Sequence, residues 1–217
     1  MDYEMHFPFW SNLSDMDKKY IEDSCYKEKY SKGMIMHRSE ENCKGLITVL
    51  SGSLRTYLIS DEGREVTLFR FFADEVCVLS ASCLMDSIAF DVLIEATEET
   101  EVLVIPSICL NTVMKKNPYV ELFMYKTATE KFSDVMWTMQ QILFQKIDQR
   151  VAQFLWDENM RSGERILTIT HDEIARYIGS AREVVTKVLK YLAMCEVIEL
   201  KRGKIVITNR EKLKTFL

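Results

Sequence analysis

The chain is poor in the residues that break or staple a fold. Of its 217 residues only three are proline and seven glycine, so no stretch reads as a disordered linker. Histidine occurs only at His6, His37 and His171, none in catalytic or metal-ligand spacing, and no P-loop or GxSxG motif is present. Enzyme chemistry is therefore not expected, nor is a metal site. No apolar run reaches the roughly 18 residues that span a bilayer. The opening Met1-Asp2-Tyr3-Glu4 is acidic where a signal peptide would be basic. A cytoplasmic protein without membrane contact is expected. Six cysteines lie scattered at 25, 43, 77, 83, 109 and 195, with no CxxC pair. In a reducing cytosol that is no disulfide framework, and the plain reading is small buried hydrophobes.

What is present is ordinary in amount and uneven in placement. Apolar residues make up 47% of the chain, enough for a real core. Net charge is −5, yet residues 151–217 hold 12 Lys and Arg against 9 Asp and Glu, while the remainder holds 16 against 24. An acidic body with a mildly basic tail is the asymmetry expected when one end meets phosphates.

Residues 11–30 are polar and periodic (Leu13, Met16, Tyr20, Ile21), which predicts a short amphipathic helix starting near Ser14. From about 33 to 105 the texture changes to short β-branched runs broken by turn signals. Leu46–Leu50 ends at Ser51-Gly52, Leu54–Ile59 at Asp61-Glu62-Gly63, and Glu65–Phe72 at Ala73-Asp74; Val92–Ala96 and Glu101–Ile105 follow. At least five short strands at this spacing predict an antiparallel barrel or sandwich.

Pro106 closes the strands, and the period becomes helical. Leu122, Tyr125, Thr129, Phe132, Met136, Met139 and Leu143 are spaced alternately three and four apart, the seam of a two-stranded coiled coil. A helix of about 28 residues runs some 40 Å, further than a small domain can cover, so this face is expected to hold a second copy of the chain. Thr129 is the one polar seam residue, a candidate for setting register. Ile147–Trp156 forms a further amphipathic segment.

Residues 166–207 carry the strongest signal. Thr170–Glu173 and Ser180–Glu183 both read as S/T-x-x-E capping boxes opening helices, with Ile178-Gly179 between them. Glycine can take the left-handed conformation of a tight inter-helix turn, so the pattern is a helix-turn-helix. In the second helix Val185, Val188, Leu189 and Leu192 face inward, and Arg182, Glu183, Thr186, Lys187 and Lys190 face out. Those outward types read base edges and phosphates. Glu183 is claimed by both the cap and the base reader. Val197–Leu200 and Lys204–Thr208 flank Lys201-Arg202-Gly203, a hairpin with a basic tip able to touch phosphates. The candidate DNA contacts are Arg182, Glu183, Thr186, Lys187, Lys190, Ser180, Thr170 and Lys204.

With these residues in view, the sequence resembles the Crp/Fnr family of bacterial transcription regulators over nearly its full length. The matching segments are Ser51–Arg55, Glu62–Leu68, the long helix and Gly179–Lys190. The resemblance implies an α+β protein: an N-terminal cyclic-nucleotide-binding-like β-roll at 1–118, a dimerisation helix at 119–145 and a winged helix-turn-helix at 146–217. It further implies homodimers on a double-stranded operator, contact with RNA polymerase, and operator contacts by Arg182, Glu183 and Lys187, with Thr186 in the slot of a small hydroxyl residue. Two departures stand out. Where members that bind cyclic AMP carry a Gly-Glu pair and an Arg-Ser/Thr pair, this chain has Cys77-Val78 and Phe90-Asp91. Phenylalanine offers a cyclic phosphate no donor and aspartate repels it, so cyclic AMP is not expected, and the effector is left open. Members with an iron–sulfur cluster carry several N-terminal cysteines; here only Cys25 lies in that region.

Cys77, Ser80, Ser82 and Cys83 occupy the place of the ligand cassette. Two thiols beside two hydroxyls make either a redox- or ligand-responsive site or plain packing. The competing function is a ligand-binding sensor that acts through a protein partner without reading DNA; the basic face of 182–190 argues against it.

Overall fold

Strand alternation and helix capping build two compact units, Met1–Leu58 with Leu68–Val135, and Ile59–Thr67 with Met136–Leu217. The computed structural model describes residues 3–38, 44–84 and 92–217. The chain opens with α1 (Tyr3–His6), a 3-10 turn (Trp10–Asn12) and α2 (Asp15–Ser24). The last starts where the sequence predicts, because the Ser14 side chain accepts from the Asp17 N–H and acidic residues fill the first turn, offsetting the helix dipole.

The strands follow: β1 (Tyr26–Tyr30), β2 (Ile35–Arg38), β3 (Gly45–Ser51), β4 (Leu54–Ile59), β5 (Glu65–Phe71), β6 (Val76–Cys77), β7 (Leu93–Ala96) and β8 (Thr100–Pro106). They form two four-stranded sheets, ordered β1-β8-β3-β6 and β2-β7-β4-β5. Ile47, Val49, Val102 and Val104 of the first sheet meet Leu54, Phe71, Ile94 and Ala96 of the second in one core. The opposite face of the first sheet, with Leu46, Leu103 and Ile105, packs on Phe7, Trp10, Ile21, Leu110 and Met124. β3 is thus covered on both faces, which is why Leu46–Leu50 is apolar at every position but Thr48 rather than alternating. Between β4 and β7, Arg55 stands directly opposite Glu95; their side chains are bonded at 2.6 Å and largely buried.

One predicted boundary is corrected. Residues 26–30, read as the end of a polar helix, form β1, because all five pair in register with β8 from Tyr26↔Val104 to Tyr30↔Thr100. The partner strand supplies what the local pattern Tyr-Lys-Glu-Lys-Tyr lacks.

After β8 come α3 (Ser107–Met114) and α4 (Pro118–Phe144). Pro118 sits at the first helical position, where its missing N–H costs nothing. Then follow α5 (Ile147–Ser162), β9 (Ile166–Leu167), α6 (His171–Ile178), α7 (Arg182–Met194), β10 (Ile198–Lys201), β11 (Lys204–Ile207) and α8 (Arg210–Lys214). The strands β10-β11-β9 make a small sheet, and its Leu167, Ile198, Ile205 and Ile207 share a core with Val151, Leu155, Ile174, Val185, Leu189 and Leu192.

Candidate nucleic-acid interface

Local chemistry fixes the helix pair. At the start of α6 the Thr170 hydroxyl accepts from the Glu173 N–H at 3.1 Å, and the Glu173 carboxylate accepts from the Thr170 N–H at 2.8 Å. Two orphan donors are satisfied reciprocally. At its end Gly179 takes φ +64°, a conformation that strains any residue with a Cβ. Arg150, buried on α5, donates to the Ile178 carbonyl at the same turn.

The second capping box does not form. The N-cap of α7 is Ala181, one residue beyond Ser180, with no side-chain bond; the Ser180 N–H, which the Glu183 carboxylate would take in a capping box, instead donates to the Ala175 carbonyl at 2.9 Å and closes α6. Over so short a turn the end of one helix outcompetes the start of the next. Ser180 therefore lies in the turn, and Glu183, relieved of capping, is exposed in the first turn of α7.

The faces of α7 segregate. Val185, Val188, Leu189 and Leu192 are buried, Arg182, Glu183, Lys187 and Lys190 are exposed, and Thr186 is half-buried between them. Across from this face the wing brings Lys201 and Lys204 opposite each other in the β10–β11 pair. The α6 start, the α7 start and the wing enclose an open groove of about 660 Å³ lined by Thr170, His171, Asp172, Arg182, Lys201 and Lys204. Three cations against one carboxylate make it an anion-attracting concavity. Of the sequence candidates, Thr170, Arg182 and Lys204 line the groove, whereas Glu183, Lys187 and Lys190 are exposed. Lys201, which the sequence placed in the basic wing tip, also lines the groove, whereas sequence reasoning missed His171. His171 holds Thr186 directly, Nδ1 to Oγ1 at 2.9 Å; burial and the charges of Arg182 and Lys190 depress its pKa.

The residues expected to form a coiled-coil seam also have a definite placement. Leu122, Tyr125, Phe132, Met136, Met139 and Leu143 of α4 are all exposed, from 40% to 66%, one apolar line along the helix. Thr129 spends its hydroxyl proton on the Tyr125 carbonyl at 2.8 Å.

In the β-roll, Cys77 and Ser80 are fully buried. The Ser80 hydroxyl donates to the Gly45 and Cys77 carbonyls at 2.7 and 2.8 Å. Burial pushes the Cys77 thiol up, against hydrogen bonds from Ser80 and the field of Lys131. A buried thiol of raised pKa is a poor nucleophile at neutral pH. The Ser82 and Cys83 side chains, and the Phe90-Asp91 pair, lie outside the described residues. The described part of the cassette does not fit a cyclic nucleotide: Val78 is fully buried in the apolar cluster of Leu46 and Ala81, so no carboxylate stands ready for a ribose. Lys131, unmarked by any sequence motif, reaches this core from α4. Its ammonium lies 5.5 and 5.1 Å from the ring centres of Phe69 and Phe71 and 3.1 Å from Asp134.

Comparison with known proteins agrees with this geometry. Residues 27–117 match the cyclic nucleotide-binding domain, and residues 149–216 match the Crp-like helix-turn-helix domain. A solved protein from Eubacterium rectale ATCC 33656, assigned to the Crp/Fnr family of transcriptional regulators, is 43% identical, with TM-score 0.92 over 97% of this chain and 98% of its own. The transcriptional activator protein Anr of Pseudomonas protegens is 27% identical over 88% of this chain and 80% of its own. The fumarate and nitrate reduction regulatory protein of Vibrio cholerae is 23% identical over 97% and 85%. Among the described residues no helix is long and apolar enough to cross a membrane. With an antiparallel roll, a long helix and a winged helix-turn-helix in this order, the chain belongs to the Crp/Fnr family of transcription regulators.

Proposed function

We propose that the protein is a homodimeric, sequence-specific DNA-binding regulator whose β-roll responds to a small-molecule or redox signal. The exposed basic face of α7 beside the wing groove carries this reading. Residues 1–118 serve as sensor, 119–145 as dimerisation helix and 146–217 as DNA reader. Two copies joined along α4 present their recognition helices to successive major grooves, about 34–36 Å apart, on a near-palindromic site. Arg182, Glu183, Thr186 and Lys187 meet base edges, with Thr170, Ser180, Lys190 and Lys204 toward the backbone, and the bound dimer contacts RNA polymerase. A mobility shift on the DNA upstream of the gene, at stated salt, tests this. A saturable shift that survives excess random-sequence competitor is expected; binding that competitor removes equally would defeat it.

The effector acts at the segment Cys77–Cys83, beside Lys131, and it is not cyclic AMP or cyclic GMP. Calorimetry with either nucleotide is expected to show no heat, and a micromolar dissociation constant would overturn that. Cys77→Ser and Cys83→Ser, assayed for DNA affinity under reducing and oxidising conditions, separate sensing from packing. Because the Cys77 thiol is buried with a raised pKa, Cys83 is the expected reactive partner. Unchanged affinity and response in both variants would place the sensor elsewhere.

A further inference from the structure

His171 lines the groove, and its Nδ1 is hydrogen-bonded to the Thr186 hydroxyl on the recognition helix. A threonine hydroxyl has one hydrogen to give. If the ring nitrogen facing it only accepts, Thr186 spends that hydrogen on the ring and turns lone pairs outward, a fit for the amino groups of cytosine or adenine. If that nitrogen carries a proton, Thr186 accepts from it, and its own hydrogen is released toward guanine O6 or N7, thymine O4 or a phosphate oxygen. A neutral ring can adopt either tautomer and so permits both arrangements. An imidazolium permits only the second.

We propose that His171 is a proton-linked positioning residue for DNA recognition: through its bond to Thr186 it sets whether that hydroxyl is offered to the operator as acceptor or donor. This rests on the DNA-binding reading above and deepens it.

The charges around the ring fix the direction of the effect. From α7 it faces Arg182 and Lys190, across the groove Lys204 and Lys201 of the wing, the latter paired with Glu199 at 3.2 Å, and on its own helix Asp172 and Glu173. Glu173 is engaged by Thr170, and Asp172 lies 3.5 Å from Arg176. In the free protein the surrounding cations and burial therefore favour the neutral ring. A DNA phosphate entering the groove neutralises those cations and adds a negative charge, which favours the imidazolium. The bound pKa then lies above the free pKa, so binding takes up protons. Affinity rises as pH falls between the two values and is flat well above the higher one. The limit is one proton per protomer, or about tenfold per pH unit per protomer, by the same linkage that ties pKa shifts to stability.

Fluorescence anisotropy tests this with a labelled duplex that the protein has selected from a randomised library. Affinity is followed at constant salt from about pH 5.5 to 8, the range in which histidine titrates. The wild type is expected to gain several-fold per pH unit on acidification. His171→Gln is expected to lose that slope whatever its affinity at pH 8. Thr186→Val is expected to retain a slope from ring charge while losing the pH-dependent change in base preference at one position per half-site. Equal slopes for wild type and His171→Gln would overturn the inference and assign the proton to another group. A wild type that binds no duplex at any pH would instead defeat the DNA-binding reading itself. NMR of the His171 ring, free and bound, gives an independent result: a bound pKa at or below the free one contradicts the proposal.

Discussion

Met136→Glu is expected to split the dimer and to abolish operator binding with it. Met136 lies two positions from the end of the seam, about half-exposed in the single chain, and in the proposed dimer a partner helix covers it. Burying one such side chain contributes roughly 1.5–3 kcal/mol, and a symmetric interface loses it twice. The substitution also sets two carboxylates near each other in an apolar seam. The loss of about 3–6 kcal/mol corresponds to a dissociation constant raised roughly 10²–10⁴-fold. DNA affinity falls with it because one recognition helix alone holds half a site. Sedimentation at micromolar concentration checks the point; a variant that stays dimeric would remove the heptad assignment. The roll core contains neither Met136 nor the rest of the exposed seam, so folding of the first unit should be unaffected.

Arg182→Ala and Lys187→Ala are the second pair of large effects. Both side chains are exposed on α7, and neither fills a core, so loss of binding will not be confused with loss of folding. A bidentate base contact contributes about 1–3 kcal/mol per half-site, or about 2–6 kcal/mol for a dimer on two half-sites. Binding to the selected duplex should weaken roughly 30-fold to 10⁴-fold, and preference should relax at one base pair per half-site. A uniform loss across all sequences, with the salt slope reduced by about one, would make the residue a phosphate contact instead. An unchanged affinity for Arg182→Ala would count against the alignment of the recognition helix.

Parts of the molecule were legible because their causes are local. Leu46–Leu50 before Ser51-Gly52 is a strand and turn by composition, and it forms β3. Thr170 and Glu173 make a reciprocal cap three residues apart, and Gly179 supplies the one backbone conformation the turn requires. The rest depends on partners far along the chain. β1 is a strand because β8 pairs with it some seventy residues later. The two-residue strands β6 and β9 are too short to carry a period. Ser180 satisfied the capping pattern, yet its N–H was already taken by α6, a competition that motif matching cannot rank. The same holds for the site. The outward residues of α7 follow from helical spacing alone, but the His171–Thr186 bond depends on how α6 crosses α7, and Lys131 reaches Phe69 and Phe71 only because α4 lies on the roll.

The buried pair in the second sheet bears on how this lineage can drift. Arg55 and Glu95 are opposite one another on β4 and β7, with side chains only 3% and 13% exposed, and the guanidinium stacks 4.0 Å over the Tyr57 ring. Removing one partner of such a buried pair costs about 3–5 kcal/mol, whereas replacing both with well-packed apolar residues can be neutral. Against a stability of about 5–15 kcal/mol, the single step consumes much of the margin. Descendants are therefore confined to two islands, charged at both positions or apolar at both, and the crossing requires either a nearly simultaneous exchange or a prior stabilising change elsewhere. The positions should covary although they stand forty residues apart.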